Sequence, residues 1–296
     1  MTIRQDMIDA AAKARRQLTD SIDLVAEFTA GRINPDGGFR GRTHKSDLYY
    51  TVFGIETLIA LGARVNRDRI LGYLDGFADG KSLDLVHLAC LARCRANLLW
   101  AEDAEDGLNE RIAHRLEFHR CGDGGYSNSM GVKSGTAYAC FLAMGAYQDL
   151  ALDIPNPAGL IDCILSLQRP DGAFANDATI QTGSTPATAA AVTTLHYLNC
   201  TPPAPSVQWM LARSRAGGGF LAAPLAPIPD LLSTATAIHA LSLAQTPLDT
   251  VRQPTLEFID SLWSTEGAFA GNWLDETLDC EYTYYGLLAI GHLNGE

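Results

Sequence analysis

The chain has 296 residues, of which 47% are hydrophobic and 19% are charged, a composition typical of a folded globular protein. Its formal net charge of −12 argues against a nucleic-acid partner, because neutralising phosphates requires a basic surface. No apolar run approaches the about 18 residues of a membrane-spanning helix, and the N-terminus lacks the apolar core of a signal peptide. The seven cysteines, odd in number and mostly within apolar stretches, predict reduced thiols in a cytoplasmic protein.

A loop of the type Gly-Gly-aromatic recurs five times along the chain. The copies are Gly37-Gly38-Phe39, Gly124-Gly125-Tyr126, Gly172-Ala173-Phe174, Gly218-Gly219-Phe220 and Gly267-Ala268-Phe269. Their middle residues are separated by steps of 87, 48, 46 and 49, and a weaker copy around Gly80 lies inside the first step. A nearly fixed period of this size indicates one supersecondary unit repeated, so we predict a single repeat domain over residues 1–296.

Two kinds of helix alternate after an amphipathic opening segment at residues 5–30. Helices that are apolar nearly all round, and therefore buried, are predicted at 47–62, 84–100, 135–149, 186–199, 231–244 and 280–293. Amphipathic outer helices are predicted at 68–79, 107–120, 157–168, 205–215 and 251–263. The last inner helix has no polar face to end an open array, so we predict a closed, all-α double ring of about six helical hairpins. Segment 5–30 is predicted to be the outer partner of this last inner helix, joining the end of the chain to its start.

Acidic residues stand at the starts of several predicted inner helices. Asp47, Asp230 and Asp279 are candidates for general acid–base chemistry at one mouth of the ring, although aspartate is also a preferred helix cap. Glu281 lies inside its helix, where capping does not require it. A buried Glu281 among tyrosines is expected to have a raised pKa and to act as an acid, the alternative being an ordinary hydrogen bond to a tyrosine or arginine.

Basic residues in the first repeat and tyrosines on the inner helices suggest a binding site. Arg40, Arg42 and Lys45 precede a helix start and form a candidate anion site, the alternative being ion pairs with surface carboxylates. Tyrosines on the inner helices either line a cavity or fill the core between the two helix layers, and the cavity candidates are Tyr49, Tyr50, Tyr138, Tyr282 and Tyr284. His87, Cys90 and Cys94 share one helical face, but spacing alone is weak evidence for a metal.

The Gly-Gly-aromatic loops followed by buried Thr/Ala-rich helices resemble the repeats of protein prenyltransferase β subunits and of squalene and terpene cyclases. The resemblance implies an α/α toroid whose inner helices hold a small-molecule isoprenoid in an aromatic cavity. In prenyltransferases an Arg and a Lys three residues apart after such a loop, and a Tyr on the next helix, hold a diphosphate. Arg42, Lys45 and Tyr50 match that pattern here.

The metal and acid motifs of these families are incomplete in this chain. Asp230 matches the zinc-binding aspartate of prenyltransferases, but Leu232 and Tyr282 stand where the cysteine and histidine ligands belong. We therefore expect no zinc and no other resident cofactor, although a diphosphate substrate would bring Mg²⁺. The Asp-x-Asp-Asp motif of class II cyclases is absent, and residues 273–276 come nearest to it.

These observations predict an isoprenoid-handling enzyme that resembles a prenyltransferase or a terpene cyclase and does not depend on zinc. Two alternatives stay open. One is a non-catalytic carrier of a prenyl chain or another lipid. The other is a β-like subunit that needs a separate helical partner chain.

Overall fold

The computed structural model describes residues 1–98 and 107–294, and in this part of the chain six helical hairpins form two concentric rings. The chain begins with α1 (Ile3–Lys13), α2 (Arg15–Leu18) and a single 3₁₀ turn (Thr19–Ser21). Each hairpin then consists of an outer and an inner helix. They are α3 (Ile22–Ala30) and α4 (Leu48–Leu61), α5 (Arg67–Asp75) and α6 (Leu85–Leu98), α7 (Leu108–Glu117) and α8 (Ala137–Asp149), α9 (Pro157–Ser166) and α10 (Thr185–Tyr197), α11 (Ala204–Leu211) and α12 (Leu231–Leu243), and α13 (Asp249–Asp260) and α14 (Cys280–Leu293).

The inner ring is closed. Each inner helix packs against the next one, and the last, α14, packs against both α12 and α4. The prediction of an all-α toroid with six inner helices is therefore confirmed, and the predicted inner helices agree with the observed ones to within a few residues. The last two residues of the helix predicted at 84–100 lie outside the described residues.

The recurring loop aromatic is a structural plug. Phe39 and Phe220 are fully buried, and their backbone N–H groups donate to the hydroxyls of Thr51 and Thr234 on the following inner helix, at 3.0 and 2.9 Å. In each case the threonine stands four residues after the helix N-cap, which explains the Thr-rich helix starts. The loop therefore anchors each inner helix through a satisfied buried hydrogen bond.

Glycine is required in these loops by backbone conformation and by space. Gly218 has a φ of 89°, in the left-handed region that favours glycine, and a Cβ there would lie 1.9 Å from the Pro254 carbonyl oxygen. Gly54 on α4 has a different purpose, because a Cβ there would lie 2.2 Å from the Phe39 ring. The repeat therefore needs small residues both in the loop and under the aromatic.

Segment 5–30 contains an outer helix, α3, but the predicted partner is wrong, because α3 pairs with α4 and the outer partner of the last inner helix is α13. Helix α3 packs on α4 in the outer ring, but α1 packs on α14, α4 and α8 inside the ring. Helix α1 reaches this position because Ala10 meets a glycine: a Cβ on Gly291 would lie 1.8 Å from the Ala10 carbonyl oxygen. The apolar residues Ile3 and Met7 are buried there, so α1 closes the end of the ring at which the inner helices finish.

The last repeat carries the strands of the described chain. Strands β1 (Trp263–Ser264), β2 (Ala268–Asn272) and β3 (Asp275–Leu278) form a small antiparallel sheet in the order β1-β2-β3. It replaces the plain loop of the other repeats and brings Asp275 and Asp279 to the start of α14. The seven cysteines are all free thiols. Among the described helices, none combines the length and the apolar character needed to cross a membrane.

Candidate functional site

Equivalent positions on the six inner helices lie at similar depths in the ring. The N-cap residues are Asp47, Asp84, Thr136, Ser184, Asp230 and Asp279. Two residues after them stand Tyr49, Val86, Tyr138, Pro186, Leu232 and Glu281, which we call the mouth tier. Nine residues after them stand Glu56, Arg93, Gly145, Thr193, His239 and Leu288, which we call the floor tier. Seven residues of helix put the two tiers about 10 Å apart along the axis.

A central cavity lies between these tiers. One lobe has a volume of about 320 Å³ and the other about 80 Å³, and the two lobes share the side chains of Met7, Tyr49, Tyr138, Phe141 and Tyr285. The rest of the larger lobe is lined by Pro186, three alanines and two leucines, and by five polar side chains, namely Asn176, Ser184, Thr193, Thr236 and His239. A concave, apolar site with aromatic walls and a few polar groups is the usual form of a small-molecule binding site.

Glu281 is the one charged residue of the mouth tier. Its carboxylate accepts a hydrogen bond of 2.6 Å from the hydroxyl of Tyr49, which lines both lobes of the cavity. Burial raises the pKa of Glu281 to about 7, because removal from water penalises the carboxylate. A carboxyl group with this pKa is half protonated near neutral pH, which suits a general acid.

Arg42 neutralises the carboxylates next to Glu281. Its Nε lies 3.2 Å from Asp279, its Nη1 lies 2.9 Å from Asp275, and its guanidinium carbon lies 5.5 Å from the centre of the Tyr282 ring. Asp279 is fully buried, and burial raises its pKa above the ordinary value. The Arg42 side chain is 41% exposed, so part of the guanidinium remains accessible from the mouth.

A second charged group joins the starts of α4 and α6. His87 lies 2.7 Å from Asp84 through Nδ1 and 3.7 Å from Asp47 through Nε2. Interaction with the carboxylates of Asp47 and Asp84 raises the pKa of His87 to about 9, so the imidazole is protonated at neutral pH. His87 is therefore committed to two carboxylates, and the described residues contain no group of three side chains suited to a metal ion.

The predicted acids other than Glu281 cap helices. Asp47 accepts from the backbone N–H of Tyr49 at 2.7 Å, and Asp279 accepts from that of Tyr282 at 2.9 Å. Asp230 uses both oxygens on Ser233, one on the backbone N–H at 2.7 Å and one on the hydroxyl at 2.8 Å. Both interpretations of these aspartates were open from the sequence, and the geometry gives each of them a capping bond.

The predicted binding residues divide into two groups. Tyr49 and Tyr138 line the cavity. The others lie around it: Arg40 is partly exposed near Asn34, Lys45 is exposed, Tyr50 packs under Gly41 and Tyr282 packs on Gly271. The structure corrects the prediction for Tyr284, which is fully buried and does not line the cavity, whereas Tyr285 lines both lobes. Tyr285 stands six residues after its N-cap, as do Phe53, Cys90, Leu142, Ala190 and Thr236 on the other cavity walls.

The floor tier was missed by sequence reasoning. Glu56 and Arg93 form a two-pronged ion pair at 2.5 and 2.8 Å, and Arg93 also contacts the sulfur of Met7 on α1. Asp149, whose pKa burial raises to about 6, accepts from Arg4 of α1 at 2.8 Å. Superposing the repeats on their N-caps and comparing the ninth residues would have revealed this tier.

Three stretches of the chain, residues 4–84, 85–202 and 198–295, match the family model described as the prenyltransferase alpha-alpha toroid domain. The chain belongs to this family. A search of curated proteins by sequence finds no match. The family and the closed double ring agree, and they confirm the resemblance on which the sequence-based expectation of the fold depended.

Solved structures of similar shape differ in activity. A Candida albicans protein geranylgeranyltransferase-I complexed with GGPP is 15% identical, with a TM-score of 0.63 over 78% of this chain and 79% of that one. A type II terpene cyclase from Scytonema, bound to geranylgeranyl dihydroxybenzoate, is 13% identical, with a TM-score of 0.66 over 95% and 97%. A D-mannose isomerase is 14% identical, with a TM-score of 0.65 over 95% and 98%. At such identities the likeness establishes the fold alone.

Proposed function

We propose that the protein binds an isoprenoid in the central cavity and starts its cyclisation by protonating a carbon–carbon double bond. The observation that carries this proposal is the contact between Glu281, a carboxyl group whose pKa is raised to about 7, and the hydroxyl of Tyr49 on the cavity wall. Family membership and the apolar, aromatic lining of the cavity support an isoprenoid as the ligand.

Glu281 and Tyr49 act together as the proton source. Protonated Glu281 gives its proton to the Tyr49 oxygen while the Tyr49 hydroxyl gives its own proton to an alkene carbon of the ligand. The π-electron pair of the alkene forms the new C–H bond and leaves a carbocation on the neighbouring carbon. Burial raises the pKa of Tyr49 strongly, so a free tyrosinate is avoided and the two transfers are coupled.

The aromatic wall stabilises the positive charge that follows. Tyr49, Phe53, Tyr138 and Tyr285 present rings to the cavity, and the face of an aromatic ring attracts a cation. After ring closure, loss of a proton to water from a carbon next to the final cation forms a new double bond. The proton added at the start equals the proton lost at the end, and each new ring replaces one double bond. The product is then an isomer of the substrate.

The head group of the ligand is proposed to lie at the mouth. Arg42 pairs with Asp279, two residues before Glu281, and its exposed part together with Lys45 and Arg40 suits a diphosphate or another anion. Asp275 and Asp279 already pair with Arg42, so an anion has to share it. We therefore expect these basic residues to affect binding more than the chemical step.

Calorimetric titration with geranyl, farnesyl and geranylgeranyl diphosphate, and with the corresponding alcohols, tests the ligand class. Binding of at least one compound, weakened in the Arg42→Ala/Lys45→Ala double variant, supports the cavity and its head-group site. Turnover is then followed by mass spectrometry for an isomeric product. We expect Glu281→Gln to bind with unchanged affinity and to lose at least about 100-fold in rate, the usual contribution of general acid catalysis.

The alternatives give different outcomes in the same assays. A carrier would bind the alcohol and the diphosphate and change neither. A β-like subunit would transfer a prenyl group only when a helical partner chain is added. No binding of any isoprenoid would overturn the proposed function altogether.

A further inference from the structure

Two polar side chains at the closed end of the cavity each have a polar atom without a hydrogen-bond partner among the described residues. The first is Thr193 on α10, which lines the larger lobe and is 2% exposed. Threonine hydroxyls inside helices usually donate to the carbonyl four residues earlier. The neighbouring Thr194 does so with Ala190 at 2.7 Å, and Thr236, on the adjacent helix α12, does so with Leu232 at 2.7 Å.

The second is His239 on α12, which also lines the larger lobe and is 4% exposed. Its Nδ1 lies 2.9 Å from Nε2 of His292, whereas its own Nε2 is buried without a partner. Burial keeps the pKa of His239 well below the ordinary value, so the ring is neutral and Nε2 either donates or accepts one hydrogen bond. A buried polar atom without a partner costs free energy and needs an explanation.

The two groups lie at the same depth on adjacent helices. Thr193 follows its N-cap, Ser184, by nine residues, and His239 follows its N-cap, Asp230, by nine residues. Helices α10 and α12 are neighbours in the inner ring. The floor-tier lining of the larger lobe is completed by Leu288 on α14, with Met7 of α1 beside it, whereas Arg93 lines the smaller lobe and is paired with Glu56. The mouth and its Glu281 lie about 10 Å away along the axis.

We propose that Thr193 and His239 form a subsite for one oxygen atom of the ligand, a hydroxyl or carbonyl group at the end of an isoprenoid chain remote from the mouth. A threonine hydroxyl and a neutral imidazole together supply one donor and one acceptor, which is what a hydroxyl group requires. The inference rests on the proposed binding of an isoprenoid in the cavity. It narrows the substrate class to isoprenoids that carry oxygen at both ends.

Calorimetric titration of the full chain with farnesol and with its ω-hydroxylated derivative tests the subsite. We expect the ω-hydroxylated alcohol to bind roughly tenfold more tightly, the effect of one or two good hydrogen bonds in a site that otherwise leaves polar atoms unpaired. Thr193→Val keeps the shape of the side chain and should abolish this preference. Thr193→Ser keeps the hydroxyl and should retain it.

Thr236→Val is the matched control, because it removes a hydroxyl from the same cavity that is already bonded to its own helix. It should leave the preference unchanged, and His239→Phe should reduce it as Thr193→Val does. If the wild-type protein binds the two alcohols equally, the subsite is overturned while the proposed function stands. If neither alcohol nor any prenyl diphosphate binds, both proposals fail.

Discussion

The two sides of the floor tier differ although the same repeat builds them. On the α4, α6 and α8 side, which we call the covered side, Glu56 and Arg93 pair with each other and Arg93 contacts Met7 of α1. On the other side, which we call the open side, Thr193, His239 and Leu288 line the cavity, and the Thr193 hydroxyl and Nε2 of His239 have no hydrogen-bond partner among the described residues.

The same repeat therefore builds part of the core on one side and the wall of a binding site on the other. Polar groups that are buried and fully bonded rigidify a core, whereas buried polar groups without partners cost stability and mark places where a ligand can bind. Substitutions on the covered side should therefore change the free energy of unfolding strongly, and those on the open side only slightly.

The largest effect is expected for the ion pair on the covered side. Arg93→Met leaves Glu56, which is fully buried, without its charged partner, and should lower the free energy of unfolding by about 3–5 kcal/mol. Unfolding by urea measures it. The double variant Glu56→Gln/Arg93→Met removes both charges and should recover much of the loss. A loss below about 1 kcal/mol in the single variant would contradict a satisfied buried pair.

The next effect concerns the attachment of α1 and depends on pH. Arg4→Ala removes the partner of Asp149, whose side chain is 2% exposed, and should cost about 2 kcal/mol at pH 8. The pKa of Asp149 is already raised to about 6, and losing Arg4 raises it further. Asp149 is therefore mostly neutral at pH 5 and needs no partner, so the loss should shrink there. An equal loss at both pH values would contradict this role, and adding Asp149→Asn should abolish the pH dependence.

A pair of glycine variants compares the two contacts of α1. Gly291→Ala places a Cβ 1.8 Å from the Ala10 carbonyl oxygen and should destabilise the protein by about 1–3 kcal/mol as α1 shifts. Gly145→Ala is the control, because its Cβ would meet nothing closer than 4.0 Å and alanine favours the helix by about 0.5–1 kcal/mol. In thermal unfolding, the melting temperature should therefore fall for Gly291→Ala and rise for Gly145→Ala. Equal effects would mean that α1 does not pack closely on α14.

The smallest effect is expected on the open side. Thr193→Val removes a hydroxyl that has no partner among the described residues, so stability without ligand should change by less than about 0.5 kcal/mol or rise slightly. Thr194→Val, one residue along the same helix, breaks the bond to the Ala190 carbonyl and should cost about 1 kcal/mol. A larger loss for Thr193 than for Thr194 would show that Thr193 is a core residue.

Local sequence patterns were sufficient for the rings but not for what lies inside them. The apolar inner helices and their acidic N-caps follow from periodicity and capping preferences, and these predictions agree with α4 through α14. The position of α1 does not follow, since an amphipathic segment fits an outer helix as well as a plug. Its contact depends on Gly291, which lies 281 residues after Ala10.

The site was predictable to the extent that it depends on position within the repeat. Glu281 was singled out because no cap requires it, and its carboxylate accepts a hydrogen bond from Tyr49, which lines the cavity. Tyr284 and Tyr285 could not be separated by composition, because one residue of rotation on a helix decides which of them meets the cavity. Thr193 and His239 gave no local signal, since their importance comes from the hydrogen bonds that they lack.

The most direct test of the central claim is to incubate the protein with each prenyl substrate in deuterated water and to measure the deuterium content of the products by mass spectrometry. We expect an isomeric product that contains one deuterium, delivered by Tyr49 and Glu281, and a rate at least about 100-fold lower in Glu281→Gln. Because the step needs protonated Glu281, the rate should fall as the pH rises through about 7. A product without deuterium, or an undiminished rate in Glu281→Gln, would contradict protonation by this pair.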